Sequence, residues 1–273
     1  MHNSRERIKY RLQGTLDLFC VLVSLLRGTM FVPLIFIALL CLNVASFRLF
    51  SSTEYDDGAD FNLFVFTQWW PQTQCQYALG NVKNKSCVPS GITKWTIHGL
   101  WPTVGEEHKP VYCNSSWPFN GGDIEDLKPK LDLQWPSYDS PDAAEFWKHE
   151  WEKHGTCSTN LPFLDSEHKY FEVSLSLNVK YDIFSVLQQS GIVPSNEKAY
   201  QVKDIERALL DAYRVHPTVY CLPVKDSPQM LSYVELCLSK LELGPINCMN
   251  STADCDYNKP VQYPPIVPVD GVM

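Results

Sequence analysis

Two apolar runs open the chain, Leu16 to Leu26 and Phe31 to Ala45, behind a basic stretch from Arg5 to Arg11 and separated by Arg27-Gly28-Thr29. A positive flank, an apolar stretch and the small residues Val44-Ala45-Ser46 together read as a secretory signal, with Met30 as an alternative start. The combined run also exceeds the ~20 residues that a membrane span needs. Residues 1–46 are therefore a signal peptide or an uncleaved N-terminal anchor, and residues 47–60 a polar, flexible lead-in.

Beyond that leader the pattern alternates between period two and period 3.6. Asn62 to Trp70 alternates apolar positions with aromatic and β-branched residues and predicts a strand. Gln72 to Pro89 reads as a surface excursion, and Lys94 to Trp101 as a second strand ended by Pro102. A helix is predicted from Asp123 to about Trp135-Pro136. Ser140-Pro141-Asp142 starts the next, which runs through Glu145 to Lys153 and stops at Gly155. Ser166 to Gln189 is one helical pattern closed by Gly191, and Val202 to Tyr213 another, closed by His216-Pro217. Thr218 to Pro223 and Leu231 to Leu238 read as late strands, and residues 266–273 as an extended tail. No repeat or linker divides residues 61–265, so the expectation is one α+β domain, a mainly antiparallel sheet packed by several helices.

Charge and cysteines set the compartment. The net charge is −8, and the basic leader makes the body more acidic than that figure, an odd balance for a polyanion binder at neutral pH. An acidic compartment would soften it by charging histidines. Ten cysteines are present; Cys20 and Cys41 lie in the leader. Cys75, Cys87, Cys113, Cys157, Cys221, Cys237, Cys248 and Cys255 read as a disulfide framework, for which spacing alone allows 105 pairings. No C-x-x-C pair favours zinc. The sequons at Asn84, Asn114 and Asn250 agree with a secretory route to the extracellular space or a lysosomal lumen.

Two segments carry chemistry. Trp95-Thr96-Ile97-His98-Gly99-Leu100-Trp101-Pro102 puts an imidazole and an indole at a strand end. Alternation points His98 away from Ile97, so one of them leaves the apolar face. Phe146 to Cys157 predicts a helix with Phe146, Glu150 and His154 in one row, Trp147 and Trp151 in a core-facing row, and His149 and Lys153 on a flank. Its two histidines stand five apart rather than four and fall on different faces of a continuous helix, which excludes the H-E-x-x-H metal motif. No metal and no cofactor are expected.

Together these segments resemble the two active-site signatures of the ribonuclease T2 family of acid endoribonucleases. The likeness extends to Gln68-Trp69-Trp70-Pro71, Cys113 to Phe119, Glu235-Leu236-Cys237-Leu238 and Tyr263-Pro264-Pro265. It implies that His154 accepts and His98 donates a proton as the 2′-hydroxyl of single-stranded RNA attacks phosphorus, leaving a 2′,3′-cyclic phosphate. Two imidazoles of opposite protonation state near mildly acidic pH would suit that step. The resemblance gives Glu150 a catalytic place and assigns Lys153 and His149 to charge on the phosphate oxygens. It assigns Trp101 to stacking on the base 5′ of the cut, and Gln68 and Phe146 to the 3′ base. Many relatives carry Asp after the Trp-Pro that follows the first histidine, where this chain has Thr103. The implied disulfides are Cys75–Cys87, Cys113–Cys157, Cys221–Cys255 and Cys237–Cys248. The expected protein is a monomer with no obligate protein partner, touching a membrane only if the leader is retained. The competing reading is a secreted glycoprotein that binds or signals without cutting; a lost catalytic histidine would mark it, and His98, Glu150 and His154 are all kept.

Overall fold

A computed structural model describes residues 61–80, 87–105, 109–140, 142–223, 228–248 and 255–269. The leader, the lead-in and the sequons at Asn84 and Asn250 lie outside the described residues. Among the described residues no helix is long and apolar enough to cross a membrane.

The sheet is built on β1 (Leu63–Trp69), which pairs antiparallel with β2 (Thr96–Thr103) on one side and β5 (Gln229–Ser239) on the other. β4 (Thr218–Leu222) and β6 (Pro245–Ile246) also pair antiparallel with β5. β7 (Val261–Gln262) joins β5 in parallel and pairs antiparallel with β3 (Ala199–Tyr200). The helices are α1 (Pro71–Ala78), α2 (Lys128–Gln134), α3 (Ala143–Lys153), α4 (Glu167–Lys180), α5 (Ile183–Gln189) and α6 (Val202–Tyr213). The α+β, mainly antiparallel architecture is the expected one.

Alternation along β1 sorts two faces. Phe64 and Phe66 enter the main core with Leu131, Trp135, Trp147, Trp151, Tyr170 and Phe171. Leu63 and Val65 turn the other way, onto Trp101 and Cys237. One face thus packs helices and the other, toward its end, carries the site.

Where element boundaries differ from the pattern reading, local chemistry explains the difference. Pro102 does not end β2, because β2 is an edge strand and its missing N–H breaks no ladder bond there. The excursion after β1 begins as α1, with Pro71 in its first turn and Cys75 fully buried. The helix expected from Asp123 is first a 3-10 turn, Gly121–Ile124, capped by Asn120, and becomes α2 only at Lys128. Asp142, not Ser140, caps α3, its carboxylate accepting from the Ala144 N–H at 2.9 Å. The long pattern from Ser166 to Gln189 is two helices, because Asp182 caps a new N-terminus just after Tyr181.

Four disulfides close Cys75–Cys87, Cys113–Cys157, Cys221–Cys255 and Cys237–Cys248. Cys113–Cys157 ties the stretch after β2 to the short 3-10 turn, Gly155–Cys157, that follows α3. The tail does not hang free: the Val267 N–H donates to the Gln72 side chain at 2.8 Å and the Val269 N–H to the Val88 carbonyl at 2.9 Å.

Candidate active site

Strict alternation would put His98 and Trp101 on opposite faces of β2. The register prevents this: Thr67 pairs with Gly99 but Gln68 with Ile97, so His98 is the extra residue of a β-bulge. Ile97 and Leu100 stay in the helical core, while the His98 ring swings out to the site face. There it stacks on Trp69 at 4.3 Å and meets Trp101 edge-on at 4.9 Å. Its carbonyl, lost to the ladder, accepts from the Trp135 indole N–H at 3.0 Å.

α3 presents its side chains as two anchors and a working face. The Trp147 indole N–H donates to the Trp135 carbonyl at 2.7 Å and that of Trp151 to the Trp117 carbonyl at 3.1 Å, fixing the rotation of the helix. Glu150 then points inward, buried, and accepts from the Trp101 indole N–H at 2.9 Å. The helix ends at Lys153, and His154 caps it at φ −116° and ψ −47°, its N–H still donating to the Glu150 carbonyl at 3.1 Å. That turn brings the His154 ring to 6.2 Å from His149 and 5.5 Å from Trp101. His98 and His154 thus both contact the Trp101 ring, which bounds their separation by the two contacts together. Gly99 permits the approach: a Cβ there would run into Trp101 Nε1 and a Glu150 carboxylate oxygen.

The electrostatics differ from the expectation of two imidazoles in opposite protonation states. Burial depresses the His98 pKa to about 3, helped by Lys109, His149 and Lys153. Burial likewise takes His154 to about 3, with Lys153, His149, Lys109 and His98 acting in the same direction. Burial raises Glu150 to about 8, against the opposing pull of the Trp101 hydrogen bond and of Lys153 and Lys109. His149, exposed, is lowered by partial burial and Lys153. Without a bound anion, then, a mildly acidic site holds two neutral imidazoles and a protonated carboxyl. The cationic surroundings that suppress the imidazolium forms are those a phosphodiester would neutralise.

A cavity of about 420 Å³ opens on this face, its lining including Trp69, His98, Trp101, Tyr138, Tyr233 and Gln74. Phe146, half-buried, stacks at 5.5 Å on the same Trp69 ring system and lies 6.1 Å from the His98 ring. Gln68 is absent from it. Its side chain lies on the opposite face of β1, buried, with its amide donating to the Tyr181 carbonyl at 2.9 Å. The one-residue step from Gln68 to Trp69 changes face, so Trp69 is the β1 residue at the site. The assignment of Gln68 to base contact is corrected accordingly. Trp101 is nearly fully buried, and the Lys109 Nζ stands 3.8 Å from its ring centre. Thr103 is buried, its hydroxyl bonded to the Trp101 carbonyl at 2.9 Å. Asn114 sits beside the site-bracing Cys113, its side-chain oxygen accepting from the Ser116 N–H and hydroxyl.

On a continuous helix the two histidines would fall on different faces; the cap at His154 instead brings donor atoms of His149, Glu150 and His154 within 4.8 Å of one another.

A profile of the Ribonuclease T2 family matches residues 61–248. "Ribonuclease T2" of Danio rerio is 36% identical over 238 residues, covering 80% of this chain and 93% of that protein. The crystal structure of human RNase T2 superposes with a TM-score of 0.65 at 39% identity, over 75% of this chain and 99% of that one. The structure of RNase NT in complex with 5′-AMP matches with a TM-score of 0.65 at 28% identity, over 76% of this chain and 99% of that one.

Proposed function

The chain belongs to the ribonuclease T2 family, and from that premise we propose that it is an endoribonuclease that cuts single-stranded RNA without a metal ion, through a 2′,3′-cyclic phosphate. The observation that carries the reading is the bulge at His98, which aims a strand imidazole at the same indole that the helix-cap imidazole of His154 touches.

His154 is neutral across the acidic and neutral range and can take the proton of the attacking 2′-hydroxyl. His98 must donate to the leaving 5′-oxygen. Burial first, and then the positive charge of Lys109, His149 and Lys153, holds His98 neutral; a diester anion bound beside Lys153 and His149 offsets that charge and lets His98 carry a proton. Glu150, protonated below about 8, donates to a non-bridging oxygen while Trp101 holds its carboxyl in place. Because Glu150 must keep its proton and His98 must gain one, activity favours mildly acidic pH. Trp69 and Phe146 form the stacking wall for a base next to His98. RNase NT, solved with 5′-AMP, agrees with a nucleotide as the ligand class.

The four disulfides support passage through the oxidising secretory pathway, to the extracellular space or a lysosomal lumen. Action as a monomer without an obligate partner is part of the same proposal. The test is digestion of a single-stranded and a duplex RNA at pH 5 with chelator present, with end-group analysis of the products. Cyclic phosphate ends from the single strand are expected. Activity that disappears with chelator, or 5′-phosphate products, would overturn the mechanism.

A further inference from the structure

Lys109 and Glu235 line the cavity as opposite charges that the cleavage chemistry leaves unused, alongside Asp139, whose carboxylate accepts from the Ser137 hydroxyl at 2.7 Å. Lys109, between β2 and Cys113, holds its ammonium over the Trp101 indole. Glu235, on β5, shares the site face with Thr67, its partner across the sheet. Its carboxylate is fixed by the Tyr220 hydroxyl at 3.0 Å and the Thr67 hydroxyl at 3.4 Å. The two charges interact: among the charged groups that act on Lys109, Glu235 is the largest. Thr103 is buried outside the cavity lining, its hydroxyl donating to the Trp101 carbonyl.

A base that reaches the Trp101 ring displaces the ammonium along it or stacks beside it. Lys109 and Glu235, which line the same cavity as Trp101, then offer it a donor cation and an acceptor anion. The geometry points to guanine as the base selected in this cavity, with Lys109 donating to O6 or N7 and Glu235 accepting from N1–H and the exocyclic amine. An arginine or lysine on the O6 and N7 acceptors is the commonest direct contact to guanine, and a carboxylate can take two parallel N–H groups at once. Adenine sets a lone pair at N1 against the carboxylate. Cytosine does the same at N3, and uracil offers a single N–H. The inference takes from the ribonuclease reading only that the ligand is a nucleotide; the selection follows from Lys109, Glu235 and Trp101.

Calorimetric titration of the full chain with 3′-GMP and 3′-AMP tests it, in wild type, Lys109→Met and Glu235→Gln. Wild type is expected to bind 3′-GMP about tenfold or more tightly than 3′-AMP, and each substitution to bring the two to within about threefold. Equal affinities in wild type, or a guanine preference that survives both substitutions, would overturn the assignment. If Glu235→Gln loses its fold along with the Tyr220 and Thr67 contacts, Lys109→Met decides alone. Cleavage of GpU and ApU in the same preparations separates the two readings. Selective 3′-GMP binding without any cleavage sinks the nuclease mechanism and sustains this one. Equal cleavage with equal binding does the reverse.

Discussion

Replacing Glu150 by glutamine should make the protein more stable at neutral and alkaline pH than at acidic pH, relative to wild type. The folded carboxyl keeps its proton up to about 8, whereas an unfolded glutamate releases it near 4.5. Between those values the folded state binds more protons, so stability falls as pH rises through that window. One pKa unit corresponds to about 1.4 kcal/mol, which makes the loss from pH 5 to pH 8 about 4 kcal/mol. His98 and His154 act in the opposite sense. Their folded pKa values near 3 lie below the ordinary 6.5, so their contribution is present above pH 6.5 and lost as pH falls toward 3. Glutamine keeps the shape and still accepts from the Trp101 N–H, but it does not titrate. The histidine contributions are common to both proteins and cancel in the comparison. At about 2–4 °C per kcal/mol for a domain of this size, the Tm difference between variant and wild type should widen by about 8–16 °C from pH 5 to pH 8. Scanning calorimetry at matched ionic strength measures it. Parallel Tm curves across that range would refute the assignment of a buried, protonated carboxyl.

Other substitutions probe the supports of the site. Gly99→Ala drives a methyl into Trp101 and Glu150; it should cost about 1–3 kcal/mol in a urea melt and lower dinucleotide kcat/KM with it. Cys157→Ser opens a loop of sequence separation 44; about 4 kcal/mol of stability should disappear, along with part of the rate, in a melt and an activity assay run together. Trp69→Ala uncovers His98; its pKa should climb from about 3 toward 6.5, read by the C2 proton shift in an NMR titration, while KM for RNA rises.

Much of this arrangement was legible before any coordinates. The aromatic row of Trp147 and Trp151 forecast which side of α3 enters the core, whereas the burial of Glu150 had no signal in the pattern. Alternation along Leu63–Trp69 forecast a two-faced strand, and applied one step further it would have chosen Trp69 over Gln68. A glycine inside a strand pattern, Gly99, signalled a close approach that went unread. The bulge at His98 was beyond pattern reading, because it is set by the pairing of Ile97 and Gly99 with another strand. The cap at His154, which gathers the donor atoms of His149, Glu150 and His154, likewise depends on where α3 stops. Disulfide partners came only with the family likeness. The position of Lys109 over Trp101 is a tertiary contact with no periodic trace.

The central claim is that two imidazoles, one bulged from a strand as proton donor and one capping a helix as proton acceptor, act as a unit on a single phosphodiester. A double-mutant cycle on kcat/KM tests it most directly, with His98→Ala, His154→Ala and the pair assayed on single-stranded RNA in the presence of chelator. Each single change should cost about 100-fold to 10,000-fold, and the double variant should be scarcely slower than the worse single, as for residues that work together. Losses that simply multiply, or full activity in either single variant, would contradict the account.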